Sequence, residues 1–169
     1  NDGLFVWYEL QRREAAVPVA PFFTSAEQTA GDVVRTLRPS VFEAQDAVVS
    51  KWFGRRTVTT TRNQFSYALS SPVMATAEFS APPSAFAFDL EVRSGRVSAG
   101  VLDVDRGEFI STQTASAGAR LLVVPCRRLP ARWQLIVSNH SERQASESTF
   151  VFRGVRAIAR DRLEVPARA

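Results

Sequence analysis

The chain has 169 residues, a formal net charge of +4 and 45% hydrophobic residues, enough to bury about 70% of its unfolded surface in one core and too apolar for a disordered chain. Its single cysteine, Cys126, and single histidine, His140, exclude an internal disulfide, the multi-cysteine zinc patterns and any triad or two-histidine metal site built by this chain alone. The basic excess sits in residues 81–169, with thirteen positive and nine negative side chains, but it is dispersed among acids, a charge pattern that argues against a nucleic-acid partner.

Residues 1–39 read as an arm or linker ahead of a domain over 40–169. Asn1-Asp2-Gly3 has neither a basic start nor a cleavage pattern after it, so no secretory signal is expected within the chain. Leu4, Phe5, Trp7 and Tyr8 form a β-prone apolar run, far short of the ~20 residues that cross a bilayer, and they are the candidate contact with another domain or copy. Pro18 and Pro21 make the next stretch linker-like. Ser40 and Glu43 have capping-box spacing, Val41, Ala44, Val48 and Trp52 share a helical stripe, and Gly54 stands where a helix would end. This pattern predicts a helix over 41–53.

From Arg56 onward short β-rich runs alternate with turn residues. Runs at 57–61, 65–70 and 73–80 come first. Phe86, Phe88, Leu90 and Val92 then alternate with Ala87, Asp89, Glu91 and Arg93, predicting a strand with the aromatics in the core and the charges facing away. Ser94-Gly95 reads as a hairpin turn into residues 97–104. Asp105-Arg106-Gly107 turns again into 108–113, and 121–124 follows. Trp133, Leu135 and Val137 alternate with Gln134, Ile136 and Ser138, and Phe150, Phe152 and Val155 mark the last strand. Eight or nine short strands with no helical stretches between them predict an all-β antiparallel sandwich.

Motifs that carry chemistry are sparse. No nucleophile elbow, phosphate-binding loop or dinucleotide fingerprint is present. Cys126 reads as a buried structural thiol, although a Cys126–His140 pair is the alternative to weigh. Asp103 and Asp105 before Gly107 are the weak candidate for a structural calcium, but the rest of an EF-hand loop is missing; a solvated turn is the plainer reading. Asn139-His140-Ser141 matches the N-glycosylation sequon. No other cofactor is expected, and the sequence leaves the compartment open.

Three runs together carry a family resemblance: 64–68 (QFSYA), 88–103 (FDLEVRSGRVSAGVLD) and 133–139 (WQLIVSN). They resemble the strand, glycine turn, strand and late Asn-ending strand of the galactose-binding-like jelly rolls in carbohydrate-binding modules appended to bacterial glycan-processing enzymes. The resemblance implies a non-catalytic module that reads an oligosaccharide or polysaccharide with loops at one end of the sandwich. Asn63, Asp103, Asp105, Arg106, Asn139 and His140 are then the first candidates for the binding site, followed by Trp52, Arg55 and Arg56. A structural or assembly module packing on another domain or on its own copies is the alternative.

Overall fold

The computed structural model describes residues 32–52, 55–140 and 146–159. Twelve strands run through them: β1 (Asp32–Leu37), β2 (Glu43–Ala44), β3 (Ala47–Trp52), β4 (Arg55–Thr60), β5 (Tyr67–Ser70), β6 (Met74–Ala75), β7 (Ala85–Ser94), β8 (Arg96–Asp103), β9 (Glu108–Ser116), β10 (Leu121–Pro125), β11 (Arg132–Asn139) and β12 (Thr149–Ala159). Short 3-10 turns occupy Pro39–Val41 and Thr76–Glu78. The first sheet has the order β10-β7-β12-β4-β3, with β1 also on β12; the second has β2-β5-β11-β8-β9, with β6 also on β11. Every pairing is antiparallel, so the chain is the expected all-β sandwich.

The alternation along β7 explains how the layers meet. Phe86, Phe88, Leu90 and Val92 are buried in the core, while Asp89 and Glu91 face outward and accept hydrogen bonds from Arg153 of β12. The second sheet answers with Val97, Ala99 and Val101 from β8 and Trp133, Leu135 and Val137 from β11. Trp133 keeps its indole polarity satisfied by donating from Nε1 to Thr76 Oγ1 at 3.1 Å, as a buried Trp must. β12 is bordered by β7 along one edge; on the other, β4 takes residues 149–152 and β1 takes 155–159. Among the described residues no helix is long and apolar enough to cross a membrane.

The structure departs from the sequence reading in four places. The helix expected over 41–53 is absent: Glu43–Ala44 and Ala47–Trp52 are strands, and residue 53 lies outside the described residues. β3 pairs residue for residue with β4, from Ala47↔Thr60 to Trp52↔Arg55, and that pairing outweighs the helical spacing. Phe42 instead enters the core, its ring edge-on to Phe152 at 4.8 Å. The strand expected over 73–80 is only β6, because Glu78 reaches back to accept the Ala75 N–H at 3.3 Å and a 3-10 turn follows.

Ser94-Gly95 is not a hairpin. β7 and β8 lie in different sheets, and the turn carries the chain across the core. Gly95 takes φ +75°, and a Cβ there would sit 2.3 Å from Ser148 Oγ, so both conformation and space demand glycine. Finally, the first sheet recruits β1 from inside the stretch expected as arm, tied down by Arg35, whose guanidinium lies 4.3 Å over the Phe79 ring and 3.4 Å from Glu78. Leu4, Phe5, Trp7 and Tyr8 lie outside the described residues.

Cys126 is buried, and desolvation pushes its thiol up to about 11. It follows β10, whose Pro125 pairs with Ala85 at the start of β7, whereas the His140 N–H bonds Arg96 O just past the end of β7. The two groups therefore stand at opposite ends of the sandwich and form no pair. A thiol reagent such as DTNB at pH 8 is expected to label Cys126 only as fast as the chain unfolds. Stoichiometric labelling within seconds in native buffer would contradict this burial.

Candidate functional site

The residues singled out from the sequence fall into three separate places. At one end of the sandwich, Asn139 closes β11 pointing inward and is fully buried. Its Nδ2 donates to Thr61 O at 3.0 Å and Ser146 O at 2.9 Å, with Asn63 O at 3.3 Å, and its Oδ1 accepts from Ser148 Oγ at 2.8 Å. Asn139 thus ties the 61–66 loop to the segment entering β12; it has no exposed atoms to offer a ligand or a glycosylating enzyme. Asn63 contributes its backbone oxygen to this knot and leaves its side chain exposed.

At the other end lies the β8–β9 turn. Asp103 is buried, and its Oδ1 accepts the N–H groups of Asp105 (3.0 Å) and Arg106 (3.2 Å), which fixes the turn as an Asx motif does. Asp105 pairs with Arg132 at 2.9 Å. Both carboxylates of the calcium candidate are therefore already engaged, and no group of three or more metal-ligating side chains occurs among the described residues. Arg106 is exposed beside them. The third place is the edge of the first sheet: Arg55 is exposed opposite Trp52, and Arg56 donates from Nη1 to the carbonyls of Pro39 and Phe42. Arg56 clamps a turn.

A continuous surface appears elsewhere, on the outer face of the second sheet. Because strands alternate, burying Trp133, Leu135, Val137, Val97, Ala99 and Val101 sends Gln134, Ile136, Ser138, Ser98, Gly100 and Leu102 to the opposite side. Register then sets these residues in rows. One row runs Tyr67, Ser138, Ser98, Thr114, and the next runs Ser70, Ile136, Gly100, Thr112. His140 continues β11 by donating its N–H to Arg96 O, so His140 and Arg96 form a further row at the loop end.

Over this polar floor lie two aromatic rings. Tyr67 on β5 and Phe109 on β9 are three strand spacings apart, about 14 Å, yet their rings meet edge-to-face at 5.9 Å and 87°. Each ring lies down across the sheet. Gly100 permits this, since a Cβ there would come within 2.8 Å of Phe109 Cδ1. Beneath the bridge Ser98, Ile136 and Ser138 are buried, while Tyr67 keeps 37% of its surface exposed. Half-burial raises the Tyr67 phenol above its ordinary value, so the ring presents a neutral hydroxyl. Arg96 extends along the floor to Thr114 Oγ1 at 3.2 Å. Such a strip offers apolar ring surface beside the Tyr67 phenol and the half-buried Thr112 and Thr114, the pairing that suits an amphipathic ligand.

No protein-family model matches the sequence, and no curated protein matches it. Among solved structures, a single-residue variant of a family 29 carbohydrate-binding module aligns over 75% of this chain and 92% of its own, at 12% identity and a TM-score of 0.52. The two share an antiparallel β-sandwich fold. A second variant of that module, solved with mannohexaose, aligns over 72% of this chain and 88% of its own, at 11% identity and a TM-score of 0.51. At these identities the likeness establishes the fold alone and leaves any ligand to be argued from this chain's own side chains.

Of the residues singled out from sequence, His140 is the one that lies on this strip. Tyr67, Phe109 and Arg96 join it from three other strands. Period-two alternation carried one step past Val137 places Asn139 inward and His140 outward, a signal present in the sequence. Nothing local announces that Tyr67 and Phe109 meet, because they are 42 positions apart.

Proposed function

We propose that this chain is a non-catalytic carbohydrate-binding module, an accessory domain of a larger glycan-processing protein, and that it holds an oligosaccharide on the outer face of the second sheet. The Tyr67–Phe109 bridge beside the half-buried Thr112 and Thr114 of β9 carries this reading. A pyranose ring has an apolar C–H face that stacks on aromatic surface and an equatorial rim of hydroxyls that needs donors and acceptors. The module fold agrees with it, and so does the commitment of Asp103 to a turn and of Asp105 to Arg132, which leaves neither acid free to flank a glycosidic bond.

Calorimetric titration with mannohexaose and cellohexaose tests the proposal. The native chain is expected to bind at least one, and Tyr67→Ala to lose about tenfold in affinity, equivalent to about 1.4 kcal/mol, with the fold intact by circular dichroism. Absence of binding to either probe, or unchanged affinity in the variant, would reject it.

A further inference from the structure

Basic residues dispersed along the sequence converge on the outer face of the first sheet, at the β12 bulge where β4 gives way to β1. Arg153 points outward there, donating to Asp89 and Glu91 on one side. On the other side Arg55 stands opposite it, one step beyond the Phe152↔Arg56 pair. Arg156 follows past the bulge, in register with Thr36 of β1, and Arg55, Arg153 and Arg156 are all exposed. Leu37 turns inward against the core, so the exposed Arg38, extended at φ −71° and ψ 153°, turns outward. Gly154 lets this segment come close: a Cβ there would sit 2.5 Å from Leu37 O. Strand spacing places Arg38, Arg55, Arg153 and Arg156 within about 10 Å of one another at the backbone, near enough for their side chains to reach one ligand.

Like charges facing each other across a strand pair are unfavourable, and this cluster is little neutralised. Asp89 and Glu91 are both taken by Arg153. Arg38, Arg55 and Arg156 make no ion pair among the described residues. Beneath them Arg56 gives its Nη1 to the Pro39 and Phe42 carbonyls and has no carboxylate partner there either.

We infer that these arginines form a second binding site, on the sheet that does not carry the Tyr67–Phe109 strip, for the carboxylate groups of an acidic polysaccharide. Guanidinium forks grip carboxylates bidentately. Because exposed pairs are weak singly, the ligand must bring several charges, as a polyuronate does and a free anion does not. A nucleic acid needs a longer basic track, and here Asp89 and Glu91 close the cluster on the β7 side. The choice of a glycan over an acidic peptide rests on the carbohydrate-binding reading; the cluster itself does not.

Calorimetric titration with polygalacturonate, poly-L-glutamate and duplex DNA, at low and physiological ionic strength, tests this on the native chain and three variants: Arg55→Gln/Arg156→Gln, Arg127→Gln/Arg128→Gln and Tyr67→Ala. The native chain is expected to prefer polygalacturonate and to lose affinity as salt rises. Arg55→Gln/Arg156→Gln should weaken that binding about 3- to 10-fold, with a urea midpoint at or above native because like charges have been removed. Arg127→Gln/Arg128→Gln removes the same charge from exposed positions just after β10 and should leave the affinity unchanged. Absence of polygalacturonate binding, equal weakening in the two double variants, or a midpoint well below native in the first overturns the inference. So does equal or tighter binding of poly-L-glutamate or DNA. A loss in Tyr67→Ala as large as in the cluster variant puts the polymer on the second sheet and overturns it as well. A chain that binds a hexasaccharide but not polygalacturonate loses this site and keeps the Tyr67 strip; the converse result loses the strip and keeps this site.

Discussion

Phe88→Ala is expected to cost about 3 to 5 kcal/mol of folding stability. The side chain is fully buried in the middle of β7, and that strand is flanked on both sides, Phe88 facing Leu122 of β10 and Val155 of β12. With ladders fixed on either edge and Trp133, Leu135 and Val137 in the opposing layer, the surroundings cannot close over the space a phenyl ring leaves. Both the lost transfer energy and the residual cavity then count. Against a total stability of about 5–15 kcal/mol, one such loss is a large fraction. Glu91→Ala, three positions along on the outward face and half-buried, should move the urea midpoint little despite its contact with Arg153 at 2.8 Å, because ion pairs open to solvent contribute little. Equal midpoints for the two variants would mean that β7 does not face the core as described.

Asn139→Ala is the second large effect, about 3 to 4 kcal/mol. Its amide satisfies partly buried carbonyls at Thr61 and Ser146 and receives the buried Ser148 hydroxyl. Alanine would leave those groups desolvated and without that partner, the expensive direction in which to lose hydrogen bonds. Asn63→Ala, the same change at the same end of the sandwich, should cost less than about 0.5 kcal/mol, since Asn63 serves the knot through its backbone. Chemical denaturation of the pair separates a structural hub from a ligand contact: if Asn139→Ala folds with native stability and merely loses sugar binding, Asn139 belongs to the binding surface after all.

How much of this was legible in the sequence depends on how far apart the cooperating residues lie. Phe86, Phe88, Leu90 and Val92 announced their own face, because a half-buried strand writes its environment into every second residue. Residues 41–53 misled because Val41, Ala44, Val48 and Trp52 satisfy a helical period while Val48-Val49 also suits a strand. What decided between them was β4, which no local window contains. The same holds for Ser94-Gly95, where the turn chemistry was readable but the identity of the sheet on either side of it was not.

The candidate site was the least legible part. Its rings come from β5 and β9 and its cation from β8, and they share a surface only after antiparallel register has put Ser138 opposite Tyr67 and Thr114 opposite Ser98. Polar residues near turns drew attention instead. Asp103 and Asn139 are polar because turns and loop knots need side chains to complete backbone hydrogen bonds, and in one dimension that need looks like the needs of a ligand.

The placement of β12 has a consequence for how the molecule comes into being. This strand is the centre of the first sheet, yet among the described residues it is made after every other strand in either sheet. The β8–β9 hairpin and β11 can assemble the second sheet from near neighbours while synthesis continues. Strands β1, β3 and β4, by contrast, must wait with an open edge and half a core until residues 149–159 emerge and thread between them and β7. For that interval the nascent chain presents the unpaired edge of β7 to water and to other chains, the condition in which β proteins aggregate. Its vulnerability is a matter of timing on the ribosome.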